Sequence, residues 1–192
     1  MKRILLIMLC LLLALPATAC KKAEDPPSPS YTPGGPTEPT EQYEKAYSND
    51  KLINRFFTEY VAMFGDQLYN THRDPNDLNA SITTINQCQV TVRNVSETKN
   101  GLHIIIEGGH TQKSLQTMMG VFSKITRSID TGCTEKMINA AVAHLTAQTS
   151  TVQDYRPCNY VKVLHYSPIN EEVGVPCRIE LLAMNYQLPH EE

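Results

Sequence analysis

Residues 88–107 read CQVTVRNVSETKNGLHIIIE, and this stretch decides the fold class. Cys88, Val90 and Val92 recur at period two, the spacing that places side chains on one face of a strand. Lys99-Asn100-Gly101-Leu102 is a turn signal, because Asn-Gly accepts the positive φ of a two-residue hairpin turn. Leu102 to Glu107, with Ile104-Ile105-Ile106 at its centre, is the return strand, and Gly108-Gly109 ends it. The stretch is therefore a β-hairpin with one apolar face.

Upstream, Ile53, Phe56, Phe57, Tyr60, Val61, Phe64 and Leu68 step by three and four. That spacing predicts an amphipathic helix from about Asp50 to Tyr69, capped by Ser48 or Asp50. Its aromatic stripe reads first as core, with a partner-binding face as the other reading. His72 to Asn79 is polar and reads as a loop, punctuated by Asp74-Pro75-Asn76. Downstream, Leu115, Met118, Phe122, Ile125 and Ile129 form a second helical seam stopped near Gly132. Thr134 opens a third helix through about Gln148, with Ile138, Ala141, Val142 and Leu145 inward. A second hairpin follows at about Asn159–Tyr166 and Val175–Tyr186. A register with residue numbers summing to 342 sets Val163 against Ile179, Val161 against Leu181 and Lys162 against Glu180, apolar on one face and ion-paired on the other. The predicted order is α-β-β-α-α-β-β: an α+β fold whose antiparallel sheet comes from two hairpins, with helices packed on one face.

The chain has 192 residues, 17 of them basic and 20 acidic, for a net charge of −3. Lys2 and Arg3 precede Ile4 to Leu15, an apolar run that as a helix would reach only about 18 Å, against a hydrocarbon core of about 30 Å. Pro16 ends the run, and small residues Ala17-Thr18-Ala19 precede Cys20. This is the layout of an export signal over residues 1–19. Without Lys2 and Arg3 the balance becomes 15 basic to 20 acidic, or −5. A mildly acidic exported chain is a poor candidate for binding nucleic acid, because phosphate neutralisation needs a basic face.

Ala17-Thr18-Ala19-Cys20 fits ordinary secretory cleavage and also resembles the lipobox of bacterial lipoproteins, with Ala17 where that class usually carries Leu. The resemblance covers residues 1–20 and implies that Cys20 is lipidated and becomes the first mature residue. By the same analogy Lys21 favours the outer membrane, where Asp would favour retention at the inner one. A soluble secreted or periplasmic protein is the alternative. From Lys21 to Gln42 there are six prolines, two glycines and no Ile, Leu, Val, Met or Phe. Such a segment cannot bury enough surface to fold and reads as a semi-rigid tether over residues 20–43. A single globular domain is expected over 44–192.

Six cysteines are present. Cys10 leaves with the signal. If lipid consumes Cys20, Cys88, Cys133, Cys158 and Cys177 remain, an even set suited to two disulfides in an oxidising compartment. The hairpin register separates Cys158 from Cys177 by about seven residues, roughly 23 Å, too far for a bond. The expected pairing is Cys88–Cys177 with Cys133–Cys158.

Motifs for chemistry are sparse. Without C-x-x-C spacing a zinc site is not expected. His103, Glu107 and His110 could form a two-His-one-carboxylate set; solvated polar residues at a strand end are the simpler reading. Glu107 to Ser114 lacks the Gly before Lys113 that a phosphate loop needs and follows a hairpin strand. Ser96-Glu97-Thr98-Lys99 leads into a turn where a helix would be required. Glu171 and Glu172 read as solvated loop acids. No catalytic residue, metal or cofactor is assigned. The sequence points to an envelope lipoprotein, held to a membrane by its lipid, whose domain binds an envelope protein. An exported hydrolase-like or metal-dependent enzyme acting on envelope material, or a small-ligand carrier, is the alternative.

Overall fold

The structure, a computed structural model, describes residues 47–96 and 101–186. The export signal, Cys20, the tether and residues 97–100, with Lys99 and Asn100 of the expected turn, lie outside the described residues. The compact unit spans Glu44–Glu192.

Helix α1 covers Lys51–Phe64, with the Asp50 carboxylate accepting from the Ile53 N–H at its start. The helix is shorter than its apolar stripe suggests. Gly65 takes a left-handed conformation (φ 66°) and returns its N–H to the Val61 carbonyl, so the chain leaves α1 there. Strand β1 (Tyr69–Asp74) then pairs with β2 (Asp77–Ile85) across a Pro75-Asn76 turn, where the sequence reads as a polar loop. β2 hides its alternation because two of its inward positions are Ser81 and Thr83. Both are buried and satisfied: Ser81 bonds the Ser48 hydroxyl at 2.9 Å and Thr83 bonds Thr71 at 2.9 Å. Asn86 (φ 47°) and Gln87 (φ 68°) make the two-residue turn into β3 (Cys88–Asn94), with Ile85 opposite Cys88. β3 pairs with β4 (Gly101–Glu107) as an antiparallel hairpin, but Asn94 faces Leu102, so Gly101 belongs to the strand and not to the two-residue Asn100-Gly101 turn expected from the sequence.

Helix α2 (Gln112–Ile129) is capped by Thr111 and buries Leu115, Met118, Phe122 and Ile125; helix α3 (Glu135–Thr146) is capped by Thr134 and buries Ile138, Ala141 and Leu145. A short strand β5 (Val152–Tyr155), not foreseen, precedes β6 (Val161–Ser167) and β7 (Arg178–Met184). β5 sits at the sheet edge and carries no buried side chain, so it leaves no apolar pattern.

The seven strands form one antiparallel sheet in the order β1-β2-β3-β4-β7-β6-β5. The two hairpins therefore join at the centre, β4 against β7. The α+β layer arrangement holds, with element order α-β-β-β-β-α-α-β-β-β among the described residues in place of the one predicted. The inward rows, such as Val90–Ile106–Ile179–Tyr166 and Val92–Ile104–Leu181–Val163, form one core with Phe56, Phe57, Tyr60, Met118 and Phe122. Phe56, Phe57 and Tyr60 are fully buried, so the aromatic stripe of α1 is core and not a partner-binding face.

The β6–β7 register differs from the expected one. Val161 faces Ala183 and Val163 faces Leu181; after a bulge between Val163 and His165, Tyr166 faces Ile179. Val161, Val163, Ile179 and Leu181 point inward as expected, but the ladder is slid by two in residue sum before the bulge and by three after it, because period two fixes the face and leaves such a slip open. Lys162 consequently meets Asp154 of β5 at 2.6 Å and not Glu180.

The four cysteines are buried free thiols, not two disulfides. For Cys88 and Cys177 the sheet itself is the reason. The ladder places Gln89, Glu107 and Arg178 in one row and so Cys88, Gly108 and Cys177 in the next. Two strand spacings separate the two cysteines, about 9.6 Å between Cα atoms, beyond the roughly 7 Å a disulfide spans.

Candidate functional site

The described helices pack on the inward face, leaving the outward face of the central strands β3, β4, β7 and β6 without a helix. The register builds that face in rows. Thr91, Ile105, Glu180 and His165 lie in one row; Arg93, His103, Leu182 and Lys162 lie in the next. Ile105 and Leu182 are half-buried apolar residues at its centre, and Ile82 of β2 extends the first row beside Thr91. Charged groups close around them. Arg178 bridges Glu107 (2.9 Å) and Glu180 (2.8 Å), and His103 Nε2 stands 3.4 Å from the second oxygen of Glu180. Arg93 pairs with Asp77 on one flank and Lys162 with Asp154 on the other. A sheet with one covered and one open face normally shows polar residues outside. Here the outer face carries half-buried Ile105 and Leu182 at its centre and mutually paired charges at its rim.

The residues weighed for chemistry do not meet. His103 and Glu107 share the outward face of β4 but stand four residues apart, about 13 Å along the strand. His103 pairs with Glu180 and Glu107 with Arg178, while His110 is exposed ahead of α2. Among the described residues no three His, Cys, Asp or Glu side chains are placed to hold a metal ion. Glu171 is not simply solvated: its Oε1 accepts the Gln112 N–H at 2.8 Å. The first turn of α2 thus already holds an anion, and Thr111 caps it, which occupies the place a phosphate would take in the segment 107–114. A cleft of about 600 Å³ lies between α1 and the chain after β7, lined by Arg55, Met63, Ile129 and Tyr186. It is separate from the filled layer between sheet and helices, where a ligand carrier was expected to open.

A polar staple fixes the helical layer to the β2–β3 turn. Asp66 accepts two bonds from Lys124 Nζ of α2 (2.7 and 2.8 Å), one from the Tyr60 hydroxyl of α1 (2.6 Å) and one from Asn86 Nδ2 (3.4 Å). Burial pushes the Asp66 carboxyl up, but the bonds from Lys124 and Tyr60 and the Lys124 charge outweigh it and hold it below the usual carboxylate range. Burial and the Asp66 bond push the Tyr60 hydroxyl strongly up. Asp50 adds a second tie, accepting from Asn94 Nδ2 of β3 at 2.9 Å.

A last cluster gathers where α2 ends. Buried Asp130 uses Oδ1 to accept the Gly132 N–H (3.0 Å) and Oδ2 to accept the Tyr160 N–H (3.2 Å). Cys133 and Cys158, on the two chain segments so joined, are buried side chains near enough to influence one another's ionisation. The sequence names both cysteines as partners but gives no sign of Asp130, whose role depends on the fold.

No protein-family model matches the chain, and comparison with curated proteins and with solved structures gives no match either. Among the described residues no helix is long and apolar enough to cross a membrane.

Proposed function

We propose that the protein is a cell-envelope lipoprotein with a non-enzymatic binding domain. Cys20 carries the lipid, residues 21–43 set the reach from the membrane, with the outer membrane favoured by Lys21, and the α+β domain binds an envelope protein. Palmitate-type acyl chains on Cys20 would supply the anchor, since two or more chains hold a protein stably where one does not. The observation that carries the binding role is the outward face of β3, β4, β7 and β6. Ile105 and Leu182 lie uncovered by any described helix within a rim of mutually paired charges. A partner with a small apolar patch and polar edges would bury that centre while leaving the ion pairs intact at the rim.

The reading is tested by affinity capture of the lipidated protein from its own envelope beside the Leu182→Glu variant. A partner retained by the parent and lost by a variant of equal melting temperature supports it. Equal capture by both refutes the placement of the binding surface on this face.

A further inference from the structure

We propose that Cys133 and Cys158 are a thiol–disulfide couple that closes by exchange with a small-molecule or protein disulfide arriving at Cys133, while Cys88 and Cys177 remain thiols. The geometry rests on Asp130. Its two carboxylate oxygens hold the Gly132 and Tyr160 amides at 3.0 and 3.2 Å, and its carbonyl accepts the Cys133 N–H at 2.9 Å. The segment carrying Cys133 and the segment carrying Cys158 are thus fastened to one buried residue, which brings the two buried thiols together beside it.

Access distinguishes the two sulfurs. Cys133 lines a surface cleft of about 290 Å³ with Met63, Arg127, Thr131, Thr134 and Glu135; Cys158 is not part of its lining. The charges agree with that order. Burial and the negative Asp130 raise both thiols, but at Cys133 the interaction with Cys158 and the Arg127 charge oppose the rise. Cys158 is held protonated by burial, by its interaction with Cys133 and by the negative Asp130. In the exchange, the Cys133 thiolate attacks one sulfur of the oxidant disulfide and expels the other as a thiolate. Cys158 then loses its proton and attacks Cys133 Sγ, closing the Cys133–Cys158 bond and releasing the oxidant's remaining sulfur. Two electrons pass to the oxidant, and the two protons lost by the cysteines end on its two thiols.

Cys88 and Cys177 lack both conditions. They are at most 1% exposed, on opposite sides of Gly108 in the core row, and two strand spacings apart. The outcome is one disulfide, not two, clamping the α2–α3 corner to the segment ahead of β6.

The test uses the full chain, purified reduced and exposed to oxidised glutathione, with peptide mapping after alkylation in denaturant. The result expected is a Cys133–Cys158 cross-link with Cys88 and Cys177 alkylated, and a melting temperature raised by roughly 5–10 °C. In Cys158→Ala, glutathione should be trapped on Cys133; in Cys133→Ala, Cys158 should stay unmodified. A Cys88–Cys177 cross-link, no cross-link at all, or glutathione on Cys158 in the Cys133→Ala variant would each overturn the proposal.

Discussion

Replacing Gly108 with alanine should destabilise the domain through a single contact. Gly108 lies between Cys88 and Cys177 in the inward row, and its backbone is not left-handed, so the cost is one of space alone. A Cβ built there would sit 2.6 Å from Cys177 Sγ, 3.3 Å from Met118 Cβ and 3.4 Å from the Ser114 carbonyl. Non-bonded heavy atoms prefer about 3.5–4.0 Å, so the sulfur is overlapped by about 1 Å. Both neighbours are fully buried and α2 covers the site, which leaves no free space for the sulfur to move into. Overpacking of this kind costs about 1–3 kcal/mol. For a domain of about 150 residues each kcal/mol moves the melting temperature about 2–4 °C, so Gly108→Ala should lower it by ~2–12 °C. Cys177→Ala removes the overlapped atom. In the double variant the two costs should fall short of their sum by at least about 1 kcal/mol, as expected for residues in contact. Thermal unfolding of the four proteins followed by circular dichroism measures the cycle. Additive costs, or a Gly108→Ala change within about 0.5 kcal/mol of zero, would refute the row Cys88–Gly108–Cys177 and the strand register behind it.

Cys20→Ala should shift the exported protein from the membrane to the soluble fraction; retention after a salt wash would show another anchor. Deletion of residues 24–40 should leave the melting temperature unchanged within about 1 °C, because no core residue is removed; a large drop would show that the tether packs on the domain. Asp66, with its folded pKa below the unfolded value, contributes stability that is present above the unfolded pKa and lost as pH falls through the folded one. Asp66→Asn should therefore cost about 1 kcal/mol at neutral pH and flatten the acid limb of the stability curve below about pH 4; an unchanged acid limb would remove Asp66 from that account. The Tyr166 hydroxyl is buried without a hydrogen-bond partner, and burial with the nearby Cys177 pushes its pKa up to about 12. Tyr166→Phe should leave the melting temperature equal or higher, since the unpaired group's desolvation cost of about 1–3 kcal/mol disappears; a loss of several degrees would indicate a partner for that hydroxyl.

What the sequence discloses follows from where each element's two faces look. α1, α2, β3, β4 and β7 each set an apolar row against the core at the period of their element, so Phe56, Met118, Val90, Ile104 and Ile179 announce themselves by spacing. β2 does not, because Ser81 and Thr83 point inward and find hydroxyl partners there. β1 and β5 are sheet edges with no buried residue and show no alternation. The end of α1 was legible in Gly65, but the apolar Leu68 beyond it extends the helical pattern past the true stop. The two-hairpin register was legible as a face and not as an alignment, and the disulfide expectation inherited that gap. Cys88 and Cys177 do both look inward, yet joining β4 to β7 places Gly108 between them. The outward patch was hidden for the same reason: Ile105 and Leu182 become neighbours only through pairing of strands some eighty residues apart in sequence, and Asp130 gains its role only when the Tyr160 amide reaches it.

The central claim is that the open face of β3, β4, β7 and β6 is where the tethered domain meets its partner. Photo-cross-linking in the native envelope tests it most directly, with a photoreactive residue placed in turn at Leu182 on that face and at Met137 on the exposed side of α3. The account predicts a discrete higher-mass product from position 182 and none from position 137. The same product from 137 alone, or equal labelling from both positions, would contradict it.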